Sequence, residues 1–164
     1  MLEARPIGRG ARFHPPATGP VIGRCSRSLG PRFGVHVELF AANRVVLVAQ
    51  GIGTEPPRQF SAGRISGARC YGELVTIDPT GLVLVRPGDR PTLASLFRSW
   101  GQPLSAHRLA SFSAEPGSNV SVFVDGRRRL VAPGRVALVK HAEVVLEVGP
   151  HVPPHHSYTF PPGA

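Results

Sequence analysis

The sequence predicts an α+β, β-rich fold in which several antiparallel hairpins are joined by one short amphipathic helix, and three observations carry that expectation. Glycine and proline number 19 and 18 among 164 residues, nearly a quarter of the chain, as in proteins dense in turns. Short runs alternate apolar and polar residues, the period of a half-buried strand. A single window sets apolar side chains at clear helical spacing. A chain of this length can bury about two-thirds of its unfolded surface in one core without metals or disulfides.

Taken in order, residues 1–32 break repeatedly at Gly and Pro and show no hydrophobic period, which predicts a flexible basic lead-in. From Val35 the pattern changes. Val35, Val37 and Leu39 alternate with His36, Glu38 and Phe40, and Ala42-Asn43-Arg44 turns the chain into Val45–Val48, because Asn tolerates positive φ. Residues 51–69 read as a loop. Glu73–Ile77 and Leu82–Arg86 form a second hairpin around Asp78-Pro79-Thr80-Gly81, whose residue types suit a type I turn. Thr92 is placed to cap a helix, with Leu93, Leu96, Phe97 and Trp100 on one stripe and Gly101 at its end. Trp100 is then expected to plug the core rather than to stack on a ligand. Residues 101–118 read as irregular, with a helical turn near Ala106–Ala110. Val120, Val122 and Val124 share a face before the Asp125-Gly126 hairpin turn, and strands near Val136–Val139 and Val144–Val148 complete the set. Residues 150–164 are rich in Pro and His, which predicts an extended or disordered tail and leaves 33–149 as a single globular domain. The order strand, strand, helix, strands over residues 73–148 is compatible with a β-grasp-like unit in the second half.

The formal charge is +9. Ten Arg stand against three Glu in residues 1–69, and eight Arg plus Lys140 against seven acids in residues 70–164, so the excess lies in the first half. That balance permits contact with an anionic surface. Nucleic-acid binding is the third functional alternative, yet the arginines are scattered singly, Arg127-Arg128-Arg129 is short, and only 7% of residues are aromatic, leaving few stacking platforms. No apolar run reaches the length of a membrane span. The first twenty residues lack the apolar stretch of a secretory signal, so the chain as written reads as cytoplasmic.

The motifs of common chemistries are missing: no GxGxxG or phosphate-binding loop, no HExxH, no GxSxG and no CxxC, and Gly51-Ile52-Gly53 lacks the third glycine of a dinucleotide site. The leading expectation is therefore a non-catalytic binding or accessory domain of unassigned ligand. The alternative is a zinc or copper site. His36 and Glu38 lie two apart on a strand and so share a face, and Asp78 or Cys70 offers further ligands. His151, His155 and His156 lie in a segment that imposes no geometry, and their metal binding is expected to be incidental. Cys25 and Cys70 can form one disulfide, closing a loop worth on the order of 4 kcal/mol, or remain as two thiols.

Residues 33 to 163 resemble an uncharacterised bacterial family, usually exported or membrane-anchored, whose members pair an HxHxHL segment with a later LHTHDxSG segment. The residues that carry the resemblance are Phe33–Leu39, Ala49–Gly53, Cys70, Leu74–Gly81, Leu93–Leu104 with its Trp-Gly-Gln-Pro-Leu string, Val122–Gly126 and His141–Pro162 with its Ser157-Tyr158-Thr159-Phe160 close. The resemblance implies export or residence in the cell envelope. This chain departs from the pattern where chemistry would lie. Gly34 and Glu38 replace two histidines of the first segment, and Val75 and Ile77 stand where the second has two more, leaving His36 and Asp78. The resemblance thus implies a scaffold that has lost most of its imidazole ligands.

Overall fold

The computed structural model describes residues 5–150 and 153–164. Its central strand is β1, Phe33–Ala41. Ala42 and Asn43 take positive φ of 50° and 60° and turn it back into β2, Arg44–Val46. The second hairpin follows as β3, Leu74–Val75, and β4, Leu82–Val85. After the helix α1, Leu93–Trp100, come β5, Ser121–Val124, and β6, Arg127–Arg129, joined by Asp125-Gly126 with both φ positive. The last strand is β7, Glu143–Val148.

These strands make one mixed sheet in the order β6-β5-β7-β1-β4-β3, with β2 also paired to β1. The remaining pairings in this sheet are antiparallel, but β7 returns parallel to β1 and sets Glu143 opposite His36. The hairpins β1–β2 and β3–β4 precede the helix, a third, β5–β6, follows it, and β7 inserts parallel beside β1. That parallel pair joins residues 33–41 to 143–148, so the sheet reaches beyond the second half of the chain, where the grasp-like order is expected.

The alternation along β1 sorts side chains between two faces. Val35, Val37, Leu39 and Ala41 join Val144, Leu146, Val122 and the helix residues Leu93, Leu96, Phe97 and Trp100 in the main core. The opposite face carries a smaller apolar group, Phe40, Phe123 and Val145. The Thr92 backbone N–H donates to Ser95 Oγ at 3.1 Å and fixes the helix start. Gly101, at φ 88°, ends it in the left-handed region.

Several expectations are corrected. Where a flexible lead-in is predicted, residues 5–32 run as irregular chain along the body. Trp100 plugs the core as expected, and its indole N–H donates to the Pro15 carbonyl at 2.9 Å; Ser99 does the same to Pro20 at 2.8 Å. Phe13 packs on Phe112 with ring centroids 4.8 Å apart. The segment is thus held by hydrogen bonds to side chains and to backbone of the body, among them Val45 N–H to the Pro6 carbonyl and the exchange between Ser26 and Tyr71, which hydrophobic periodicity does not register. The loop 51–69 contains the pair Gln59–Ser61 and Arg64–Gly67, and Thr54–Glu55 pairs with Cys70–Tyr71. Short antiparallel strands, Leu104–Ser105, Arg108–Leu109 and Phe112–Ser113, replace the expected helical turn. The strand expected at Val136–Val139 is reduced to one bridge between Thr92 and Ala137, with Val136 and Leu138 buried beside the helix. The tail is not loose chain: residues 153–164 lie across the second face of the sheet, held by contacts described below.

Cys25 and Cys70 are joined in a disulfide, with Cα atoms 5.2 Å apart. Many of the arginines that give the chain its charge act as internal fasteners. Arg86 Nη2 donates to the carbonyls of Arg24, Tyr71 and Gly72, Arg5 pairs with the buried Glu147 at 3.2 Å, and Arg12 lies over the Phe112 ring. Arg127–Arg129 form an exposed edge strand. Among the described residues no helix is long and apolar enough to cross a membrane.

Candidate metal centre

The polar side of β1 carries a cluster of metal-ligating side chains, His36, Glu38 and Glu143. His36 and Glu38 point away from the main core, as the two-residue spacing requires, and the parallel register brings Glu143 of β7 beside them. The ligand atoms of His36, Glu38 and Glu143 lie within 4.8 Å of one another. Two of the three are buried, His36 to 5% exposure and Glu143 to 0%.

The turn Asp78-Pro79-Thr80-Gly81 orients the imidazole. His36 Nε2–H donates to the Thr80 carbonyl at 2.8 Å, which assigns the proton to that nitrogen, since a carbonyl only accepts. Gly81, at φ 85°, brings the turn this close; a Cβ there would lie 2.3 Å from the Val37 carbonyl and 3.1 Å from His36 Nε2. The other nitrogen, Nδ1, faces Glu143 Oε2 at 2.8 Å. One proton occupies that bond, held either by the ring or by the carboxyl. The Glu143 backbone N–H is itself fixed by Asp125 Oδ1 at 2.9 Å, so the β5–β6 turn also locates the site.

The electrostatics follow from burial and from two neighbouring carboxylates. Desolvation, with the Glu38 carboxylate alongside, pushes the Glu143 carboxyl up to about 7 against the pull of His36. Burial works in the opposite sense on His36, but the hydrogen bond and charge of Glu143, with the Thr80 carbonyl and Glu38 behind them, outweigh it and raise its pKa above the usual imidazole value. His36 and Glu143 therefore hold protons more firmly than they would in water. Glu143 Oε1 is buried with no hydrogen-bond partner among the described residues.

The tail completes the surroundings. His155 Nδ1–H donates to Glu38 Oε2 at 2.8 Å, and the Tyr158 ring stacks on His36 at 3.7 Å with planes 5° apart. Beside the cluster is a cleft of about 80 Å³ bounded by His36, Glu38, Val45–Val48 and the Pro79–Gly81 turn.

No family model, curated protein or solved structure matches the chain.

Of the four residues that the sequence offers as ligands, the structure brings together His36 and Glu38. Asp78 sits on the rim of its turn, engaged by Arg64 at 3.5 Å and by the Thr80 hydroxyl. Cys70 is bonded to Cys25 and has no thiolate to offer. Glu143 was missed because strand periodicity places it on the polar face without saying which strand lies alongside. His155 was dismissed as part of an unstructured arm. His156 rests on Gly126, where a Cβ would lie 2.5 Å from its ring, and His151 lies outside the described residues. The parallel neighbour of β1 had no local signal, since the pairing spans 107 residues in sequence between His36 and Glu143.

Proposed function

We propose that this chain is a non-catalytic binding domain whose ligand is a zinc or copper ion held by His36, Glu38 and Glu143. The observation that carries the reading is the buried carboxylate of Glu143, one oxygen of which lacks any donor while the other meets His36. Burying carboxylates without compensation costs several kcal/mol, and a divalent cation supplies that compensation while displacing the protons the cluster otherwise retains. The imidazole suits the role. A metal-bound histidine commonly donates its second ring N–H to a backbone carbonyl, which fixes the tautomer and aims the lone pair; here Thr80 takes Nε2–H and leaves Nδ1 toward the two carboxylates. Imidazole with carboxylate oxygens is a donor set that zinc and copper accept. Binding rather than turnover is favoured because the adjoining cleft, about 80 Å³, falls well below the roughly 300 Å³ at which small-molecule sites begin.

Equilibrium dialysis of the full chain against Zn(II) and, separately, Cu(II), after chelator treatment, tests the proposal by elemental analysis. The expected result is one tightly held ion per chain, lost in His36→Ala and strongly weakened in Glu143→Gln. Retention that is unchanged in His36→Ala would assign the metal to other residues and overturn the reading, as would the absence of stoichiometric retention in the unmodified chain.

A further inference from the structure

We propose that the C-terminal segment positions this metal centre, His155 by holding Glu38 and Tyr158 by seating His36, so that ion binding and docking of the tail form one coupled equilibrium. The inference rests on the metal reading above and adds to it a role for residues that touch its ligands.

The tail reaches two of the three ligands at once. His155 Nδ1–H fixes one oxygen of Glu38, which restricts how the carboxylate can turn toward its neighbours. Tyr158 covers the His36 ring face to face. Further along, Phe160 meets Tyr158 edge-on at 4.9 Å and stacks on His141 at 4.6 Å. His141 Nε2–H then donates to the Ala164 carbonyl at 2.6 Å. Gly34 makes room for this packing, since a Cβ there would lie 2.9 Å from the Phe160 ring.

What the tail lacks matters equally. Among the described residues, no backbone-to-backbone hydrogen bond ties 153–164 to the sheet. Side chains alone hold it, and two of their contacts, His155 on Glu38 and Tyr158 on His36, fall on groups an ion would organise, beside those made by Arg5 and His141. A ligand that fixes Glu38 and His36 in place therefore also strengthens part of the surface the tail binds. Linkage requires the converse by the same factor: a docked tail tightens the ion.

The test uses the full chain and two readouts. Zinc affinity is measured by competition with a chromophoric chelator for the unmodified chain, His155→Ala and His155→Asn, the last retaining an N–H donor for Glu38. In parallel, chymotryptic cleavage after Tyr158 is followed by mass spectrometry with and without zinc. Zinc is expected to slow that cleavage in the unmodified chain. His155→Ala is expected to weaken zinc roughly 10- to 100-fold, the usual cost of losing a partner that orients a ligand, and to abolish the protection. His155→Asn recovers most of the affinity, and the metal-free melting temperatures of the three proteins agree, which a purely structural role would not produce. If the unmodified chain and His155→Ala bind zinc equally and cleavage ignores the metal, the positioning role is refuted while the metal centre stands. If the unmodified chain holds neither zinc nor, in the same competition, copper, both proposals fall.

Discussion

Glu143 is the residue on which the site turns, and its protonation has a measurable consequence for the metal-free protein. Its folded-state pKa of about 7 lies above the 4.5 of a free glutamate, and that of His36 is also raised. Both groups bind protons more tightly in the folded chain than in the unfolded one. The Glu143 contribution to stability is therefore complete below pH 4.5 and is lost as the pH rises through about 7, while that of His36 is complete below its unfolded value of 6.5 and is lost above it. In chelator, the melting temperature is expected to fall between pH 5 and pH 8 by on the order of 5 °C; Glu143→Gln should flatten that slope, and a slope equal to the unmodified chain's would show that Glu143 does not carry it. Trp100 decides a different question. It is 0% exposed and donates to Pro15, so Trp100→Phe removes the N–H and leaves that carbonyl unpaired, costing about 1–3 kcal/mol. Urea denaturation measures it. Trp100 was legible as a core residue from its place on the helical stripe, whereas its hydrogen bond to the lead-in was not, because no sequence pattern reports which distant carbonyl an indole will find.

At the scale of elements, the turns bear most of the specification. The hairpin turns at Asn43 and Asp125-Gly126 and the helix with its Thr92 start and Gly101 end were all legible, since each depends on residues within one turn of one another. The turn ending at Gly81 does more than reverse the chain, because it presents the Thr80 carbonyl to His36. Gly81→Ala would place a methyl 2.3 Å from the Val37 carbonyl at a φ of 85°, and the strained backbone costs about 1–2 kcal/mol before any clash is counted. The expected outcome is a loss of at least that much in urea denaturation, together with weaker metal retention. Unaltered retention would mean that the turn does not orient the imidazole. The short strands within 51–69 and 104–113 were not foreseen, for they contain two to four residues each and owe their pairing to what packs around them.

Over the whole molecule, the described parts of both terminal segments are laid on the body. Residues 13–26 of the lead-in tie to Trp100 and Ser99 on the helix side and link through Cys25 to Cys70, Arg5 reaches the other face at Phe40, Glu147 and the Pro153 carbonyl, and the tail lies on that polar face over His36. Reduction of the disulfide, or Cys25→Ser with Cys70→Ser, reopens a 45-residue separation and should cost on the order of 4 kcal/mol of stability by chain entropy, read from urea denaturation with and without reductant; a change below about 1 kcal/mol would mean that the lead-in is held mainly by its other contacts. By itself the sequence determined the β-rich class, the helix, the hairpin turns and the shared face of His36 and Glu38, because period-two alternation, capping and turn chemistry act between neighbours. Tertiary structure alone decided that β7 lies parallel to β1, that Glu143 rather than Asp78 or Cys70 joins His36 and Glu38, and that the terminal segments are laid down on the body. Those outcomes depend on contacts between residues as much as 148 positions apart, as between Arg5 and Pro153, and their selection rests on which buried polar groups and apolar faces remain to be satisfied once the local elements have formed.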